Sequence, residues 1–326
     1  MCVLVCKTHK KEVYALSGAV LSERIIGQKG FDTEMTRKHM RWGWLFVSPY
    51  VLGLILWTLI PLVISIYFSF TRYDMMSPAR WVGLRNFKLV IGERATWIAF
   101  RNVWVYAIIL ESLNISLACV LAVLLNQKVK GLSAFRVIYY IPGLTPTAAV
   151  ALVWSRLYNP NGGAFNTILG FLGLGPFMFT FSLNWFEVIL SVILMTLWKG
   201  VGGATIYLIA GLQAISTDVM EAADIDGATP VKKFFRITIP LLTPTIFFLM
   251  ITGISGALQV FESFYLILEN TGAETHVVNS MIYGRMWGHN PDVGFAAALG
   301  WVSFIFVAIV TYLQKKYEKK WVHYDA

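Results

Sequence analysis

Six long runs of apolar residues, at about 42–70, 99–126, 137–157, 185–212, 241–268 and 295–313, alternate with shorter polar stretches. A helix needs about 20 mostly apolar residues, at ~1.5 Å of rise each, to cross ~30 Å of hydrocarbon. Inside hydrocarbon every backbone amide must be paired within the chain, which leaves the helix as the solution for runs of this length. The pattern therefore predicts an all-α integral membrane protein with about six transmembrane helices. Pro49 and Pro61 fall inside the first run, where neighbouring helices in a bundle can satisfy the carbonyls that proline frees. Trp42 and Trp44 follow Arg37, Lys38 and Arg41, the basic-then-indole order that a membrane–water interface selects.

Composition agrees with the pattern. Of 326 residues, 57% are hydrophobic and 14% charged, and the mean hydropathy is +0.63; a soluble chain could not bury that much apolar surface. The net charge of +9 is a topology signal, because its distribution is uneven. Eighteen Lys and Arg lie in 1–41, 127–136, 213–240 and the tail after 313, against six in 71–98, 158–184 and 269–294. By the positive-inside rule the first set is cytoplasmic, both termini with it. No nucleic-acid partner is called for; the lipid bilayer is the expected surrounding. The expected organisation is a cytoplasmic arm over 1–41, a transmembrane domain over 42–316 and a cytoplasmic tail over 317–326. Cys2, Cys6 and Cys119 make no disulfide framework, and the five His show no metal-ligand spacing.

One polar stretch does not look like a plain connector. Residues 221–240 read EAADIDGATPVKKFFRITIP, within a loop placed at 216–240. Asp218, with Glu221 three residues on, predicts an N-cap and capping box opening a short helix. Ala222, Ala223 and Ala228 keep the surface low, so another chain can come close. Glu221 and Asp226 offer charge to Arg or Lys. Gly227 permits a turn that a Cβ would resist, and Pro230 stops simple continuation. An amphipathic piece follows, with Phe234, Phe235 and Ile237 against Lys232, Lys233 and Arg236. A loop with these properties is built to be gripped.

This pattern of Glu-Ala-Ala, Gly227, then Ile237 and Pro240 resembles the EAA loop of permease subunits in ABC importers of the maltose, lactose and glycerol-phosphate type. The stretch 131–169, with Phe135-Arg136, Pro142, Trp154, Gly162-Gly163 and Asn166, and the run Gly294–Ala298 are similar to the same family. Where that family often has a Gly-Gly-Pro turn, this chain has Thr271-Gly272-Ala273-Glu274. The resemblance implies a location in a bacterial inner membrane and a heterodimer with a second, homologous permease, two ATP-binding cassette ATPase subunits and an extracytoplasmic sugar-binding protein. It assigns Glu221, Ala222, Ala223, Asp226, Gly227 and Ala228 to ATPase coupling. No G-x-x-x-x-G-K-[ST] loop occurs in the chain. The expectation is a permease subunit that is not itself an enzyme, with no cofactor of its own, ATP and Mg being bound by the partner ATPases.

The cargo would be a carbohydrate, read as an oligosaccharide. Ionisable groups inside spans are costly and so worth naming: Glu111 and Lys199 fall at similar depth and read as a buried pair or as two groups on one aqueous cavity. Lys199 stands in WKGVGG, where Gly200 and Gly203 would expose backbone to a sugar ring or a helix; Trp198-Lys199 reads equally as scaffold. Gln259, Glu262 and Ser263 offer amide, carboxylate and hydroxyl groups suited to sugar hydroxyls, with Phe261 and Phe264 beside them. A lysine at that depth suits an acidic sugar such as an oligouronate, and a neutral disaccharide stays open. The alternative of an ion-coupled secondary sugar transporter calls for inverted repeats and paired intramembrane carboxylates, which the sequence does not display. A membrane enzyme would need clustered catalytic residues at one interface, also not displayed.

Overall fold

The computed structural model describes residues 39–126, 131–159, 162–173, 185–267 and 275–323. The arm with Cys2 and Cys6, the turn at Thr271–Glu274 and much of the 158–184 stretch lie outside the described residues. Two units are distinguished, residues 1–65 and residues 66–326.

The first unit holds most of helix α1 (His39–Ser69), 31 residues with a mean hydropathy of 2.4 over its most apolar window. Trp42, Trp44, Phe46, Tyr50 and Trp57 are exposed along it, as a lipid-facing surface requires. Within α1 the residues Ile55–Leu59 widen into a π turn, closed by the Ile60 amide donating to the Ile55 carbonyl. Pro61 explains the widening. It has no amide proton and its ring crowds the carbonyl four residues back, so the ladder yields by one residue rather than breaking.

In the second unit the chain leaves α1 through a small hairpin. Strand β1 (Thr71–Arg72) pairs antiparallel with β2 (Arg80–Trp81), and helix α2 (Arg85–Gly92) follows. Asn86, buried at the start of α2, donates to the carbonyls of Ser69 at 2.9 Å and Thr71 at 2.8 Å, so one amide satisfies the open end of helix α1 and the hairpin together. At the hairpin tip Asp74 accepts from the amides of Met76 and Ser77 at 3.0 and 2.7 Å, and these bonds hold its carboxyl below the usual carboxylate range.

The bundle itself is built on α3 (Arg94–Leu125) and α7 (Trp185–Ala214), which pack on each other most extensively. Between them come α4 (Leu132–Leu144), α5 (Thr147–Leu157) and α6 (Ala164–Phe171). After α7 follow α8 (Thr217–Ile225), α9 (Pro230–Leu241), α10 (Thr243–Leu258) and α11 (Glu262–Ile267). Helices α12 (Val278–Trp287) and α13 (Val293–Glu318) complete the unit. Helix α10 packs on α3, α4 on α7, α11 on α5, and α12 on α13. The interior divides into two apolar clusters stacked along the helices. One gathers Val103, Tyr106, Ile193, Leu258, Phe264 and Leu299, the other Ala118, Ala122, Leu208, Leu212, Leu242 and Leu249.

Among the described residues four helices, α1, α3, α7 and α13, are long and apolar enough to cross a membrane, and two bent pairs, each taken as one span, raise the number to six. The run 137–157 is therefore not one straight span: α4 and α5 meet at 101° around Thr145-Pro146, because the residue before a proline is driven out of the helical region. The run 241–268 is also divided. Its first part bends by 65° between α9 and α10, and its end breaks at Gln259–Phe261 before α11. In α9 a second π turn, Phe234–Thr238, is closed by the Ile239 amide on the Phe234 carbonyl, one residue before Pro240. The cause is the same as at Pro61.

Candidate functional site

The loop singled out in the sequence is an ordered two-helix element. Helix α8 is capped by Ser216, whose hydroxyl accepts from the Asp218 amide at 3.2 Å. The cap thus lies two residues earlier than the Asp218 cap expected from the sequence, and Asp218 sits in the first turn, where its charge complements the helix dipole. The helix ends in a Schellman motif: the Ala228 amide donates to the Ala223 carbonyl and the Gly227 amide to the Asp224 carbonyl, both at 3.0 Å. That closure needs a left-handed residue, and Gly227 supplies it at φ +67°. Thr229 then caps α9, with Pro230 in its first turn, and Lys233 pairs with Asp224 across the two helices.

The burial of this loop is lopsided. Ala223 is buried, while Glu221, Ala222, Asp226 and Gly227 are exposed and Ala228 is partly so. Ile225 is 86% exposed, Val231 68% and Phe235 65%, so the loop presents apolar side chains beside its charges. Ile225, flanked by two aspartates, escaped the sequence reading. An isolated isoleucine inside an acidic turn was the available signal.

The residues expected to meet a substrate do not converge. Lys199 Nζ donates to Thr147 Oγ1 at 3.0 Å, at the mouth of the α4–α5 bend. Glu111 is 7% exposed, hydrogen-bonded to Asn114, and its carboxyl fills the notch left by Gly253 on α10. Glu111 and Lys199 do not form the pair considered from their depth. Each has a neutral partner instead, Lys199 in Thr147 on α5 and Glu111 in Asn114, one turn along its own helix α3. Of the glycines, Gly200 and Gly203 face open space, whereas Gly202, the third of that run, lets the Tyr139 carbonyl approach. Gly143 likewise comes against the Lys199 carbonyl; the two together make the α4–α7 crossing possible.

Gln259, Glu262 and Ser263 lie at the break between α10 and α11. Ser263 is buried and Glu262 exposed; Gln259 turns its amide to the Ser255 carbonyl at 2.9 Å, and its own carbonyl accepts from Asn279 at 2.6 Å. Interrupted helices at mid-membrane free backbone groups for a polar ligand. A cavity of about 530 Å³ opens here, lined among others by Gln259, Asn279, Ser303, Phe304 and Thr311. A second, of about 560 Å³, is walled by Tyr139, Trp154, Tyr158, Phe165 and Trp198, with Trp154 5.7 Å from Trp198 between ring centroids. The predicted polar residues thus divide: Gln259 opens on the first cavity, and the segment carrying Lys199 borders the aromatic one.

Broken spans around polar residues, with an exposed capped loop between spans, are the architecture of a membrane permease. The chain matches the family described as "Binding-protein-dependent transport system inner membrane component" over residues 114–323, and it belongs to that family. It is 31% identical over 295 residues to the "Probable ABC transporter permease protein YesP" of Bacillus subtilis (strain 168), covering 89% of this chain and 94% of that one. It is 30% identical to the "Trehalose/maltose transport system permease protein MalF" of Thermococcus litoralis, over 87% and 97% of the two chains. Among solved structures it resembles a chain of a bacterial ABC transporter involved in import of the acidic polysaccharide alginate. That likeness has a TM-score of 0.73 at 23% identity, over 88% of this chain and 99% of the other, and speaks for the fold. The chain is a multi-pass membrane permease of a binding-protein-dependent ABC transporter.

Proposed function

We propose that this permease imports a carbohydrate, an oligosaccharide, and that the α8–α9 loop receives the work of ATP hydrolysis from partner ATPase subunits. The observation that carries the reading is the loop: an exposed helix with Glu221, Ala222, Ile225 and Asp226 outward, fixed from below by Ala223 and Gly227. In this account ATP and Mg are bound by two ATPase subunits and not by this chain, a second, similar permease completes the pathway, and both termini lie on the cytoplasmic side with the loop. A soluble sugar-binding protein delivers cargo at the opposite face. Support comes from relatives named for trehalose/maltose, lactose and arabinooligosaccharides, and from a solved neighbour in complex with an alginate pentasaccharide-bound periplasmic protein.

Closure of the ATPases would push α8 and α9, and the two bends at Thr145-Pro146 and Leu242 let that push reach the middle of the bundle as rotation rather than as helix breakage. Lys199, Gly200 and Gly203 on one side, and Gln259, Glu262 and Ser263 on the other, would meet the sugar in turn. Glu111, being buried against Gly253, would shape the path from behind. A lysine held by a single hydroxyl, Thr147, keeps ammonium protons available for a carboxylate, which favours an acidic oligosaccharide. The test is uptake of alginate oligosaccharides against maltose into proteoliposomes holding the assembled transporter. Lys199→Met should lower uptake of the acidic sugar about tenfold, the loss of one charge-assisted hydrogen bond of roughly 1.5 kcal/mol. Unchanged uptake of the acidic sugar in that variant would remove Lys199 from the site.

A further inference from the structure

Helix α13 ends at Glu318, and the chain turns back on itself: the amides of Trp321 and Val322 donate to the Glu318 carbonyl at 3.2 and 3.0 Å. The turn delivers three residues onto the start of α10. Val322 is buried at 9% exposure. The Trp321 ring stands edge-on to Phe247, 5.7 Å between centroids and 79° between planes. The His323 amide donates to Thr243 Oγ1 at 2.9 Å, across 80 residues of sequence. Thr243 Oγ1 in turn donates to the Pro240 carbonyl at 2.6 Å. One hydroxyl therefore joins the last turn of α9, the first residue of α10 and the end of the chain.

These contacts fall on the elbow where α9 passes into α10 at 65°. Apart from them the elbow is held by the backbone at Leu242 and by the packing of Ile239, Leu242 and Ile246 in the apolar cluster beneath it. We propose that Trp321–His323 is a clamp that sets the angle of this elbow, making Trp321 and the His323 amide positioning groups for transmission from the α8–α9 loop to α10. The assignment rests on the reading of that loop as the ATPase-docking segment for its function, but not for its geometry. A clamp outside the loop can fix the angle without occupying the surface that the ATPase would cover. The indole and Phe247 interlock as an edge-to-face pair, which resists rotation more than a sliding aliphatic contact does.

The experiment reads the angle directly. With Cys2, Cys6 and Cys119 replaced by Ser, spin labels are placed on Lys232→Cys and Thr252→Cys, exposed positions on either side of the elbow. Pulsed dipolar spectroscopy is run on the purified complex without nucleotide and with ATP plus vanadate. The parent should give one narrow distance distribution in each state. Trp321→Ala and His323→Pro, which removes the amide donor at an exposed residue, should each broaden the nucleotide-free distribution roughly twofold, and Trp321→Phe should restore it. Distributions unchanged in both disrupting variants would overturn the clamp. So would broadening that Trp321→Phe fails to reverse, since that marks general loosening. If no ATPase copurifies with the parent, the docking reading fails, while the nucleotide-free widths still decide the clamp.

Discussion

Gly253 and Glu111 show how one position governs another across the bundle. The notch left by the missing Cβ of Gly253 is occupied by the Glu111 carboxyl, and Glu111 has little room to withdraw at 7% exposure. Gly253→Ala should therefore cost about 1–3 kcal/mol through overpacking. Adding Glu111→Ala should return part of that loss, because the group that obstructs the new methyl is gone. Thermal unfolding of the four detergent-solubilised proteins in a double-mutant cycle measures this; additive losses would mean the two side chains do not meet. At this scale the sequence was legible for kind and not for partner. Glu111 and Lys199 stood out as costly intramembrane groups, but depth along a helix says nothing of azimuth, and Thr147 and Asn114 lie on faces that periodicity in an all-round apolar helix does not mark.

At the scale of elements, apolar runs gave the helices, and prolines decided how they deform. Pro61 and Pro240 each produce a π turn, while Thr145-Pro146 produces a bend of 101°. The difference is not visible in the dipeptides themselves. The bounds of helix α8 were legible almost to the residue, since Gly227 and Pro230 are strong local punctuation. Its cap moved to Ser216 because a serine just outside the expected start served equally well. The hairpin–α2 junction left only a weak trace, Asn86 among polar neighbours. Its amide carries two carbonyls, so Asn86→Ala should destabilise the protein by about 1–3 kcal/mol by leaving buried acceptors unpaired. Unfolding temperature and amide exchange over 69–86 check this, and an unaltered exchange pattern there would show the junction is held by other contacts.

For the whole molecule, two stacked apolar clusters are joined by α3, α7 and α10, and between them lie Glu111, Gly253 and Lys199. Force applied at the α8–α9 loop enters the lower cluster through Leu242 and Phe234 and must pass this polar level to reach the break at Gln259. Composition and apolar runs foretold a multi-pass membrane protein, and the resemblance of the Glu-Ala-Ala loop a permease; neither could foretell that the candidate substrate groups would divide between two cavities, since that depends on how separate spans pack. The account stands most heavily on the loop as the place where another subunit grips. The direct measurement is copurification of the ATPase with tagged permease, for the parent, Glu221→Ala, Gly227→Val and the distant control Lys88→Ala. The account predicts that the parent and Lys88→Ala retain the ATPase and that the two loop variants lose most of it while still folding. Full retention of the ATPase by both loop variants would contradict it.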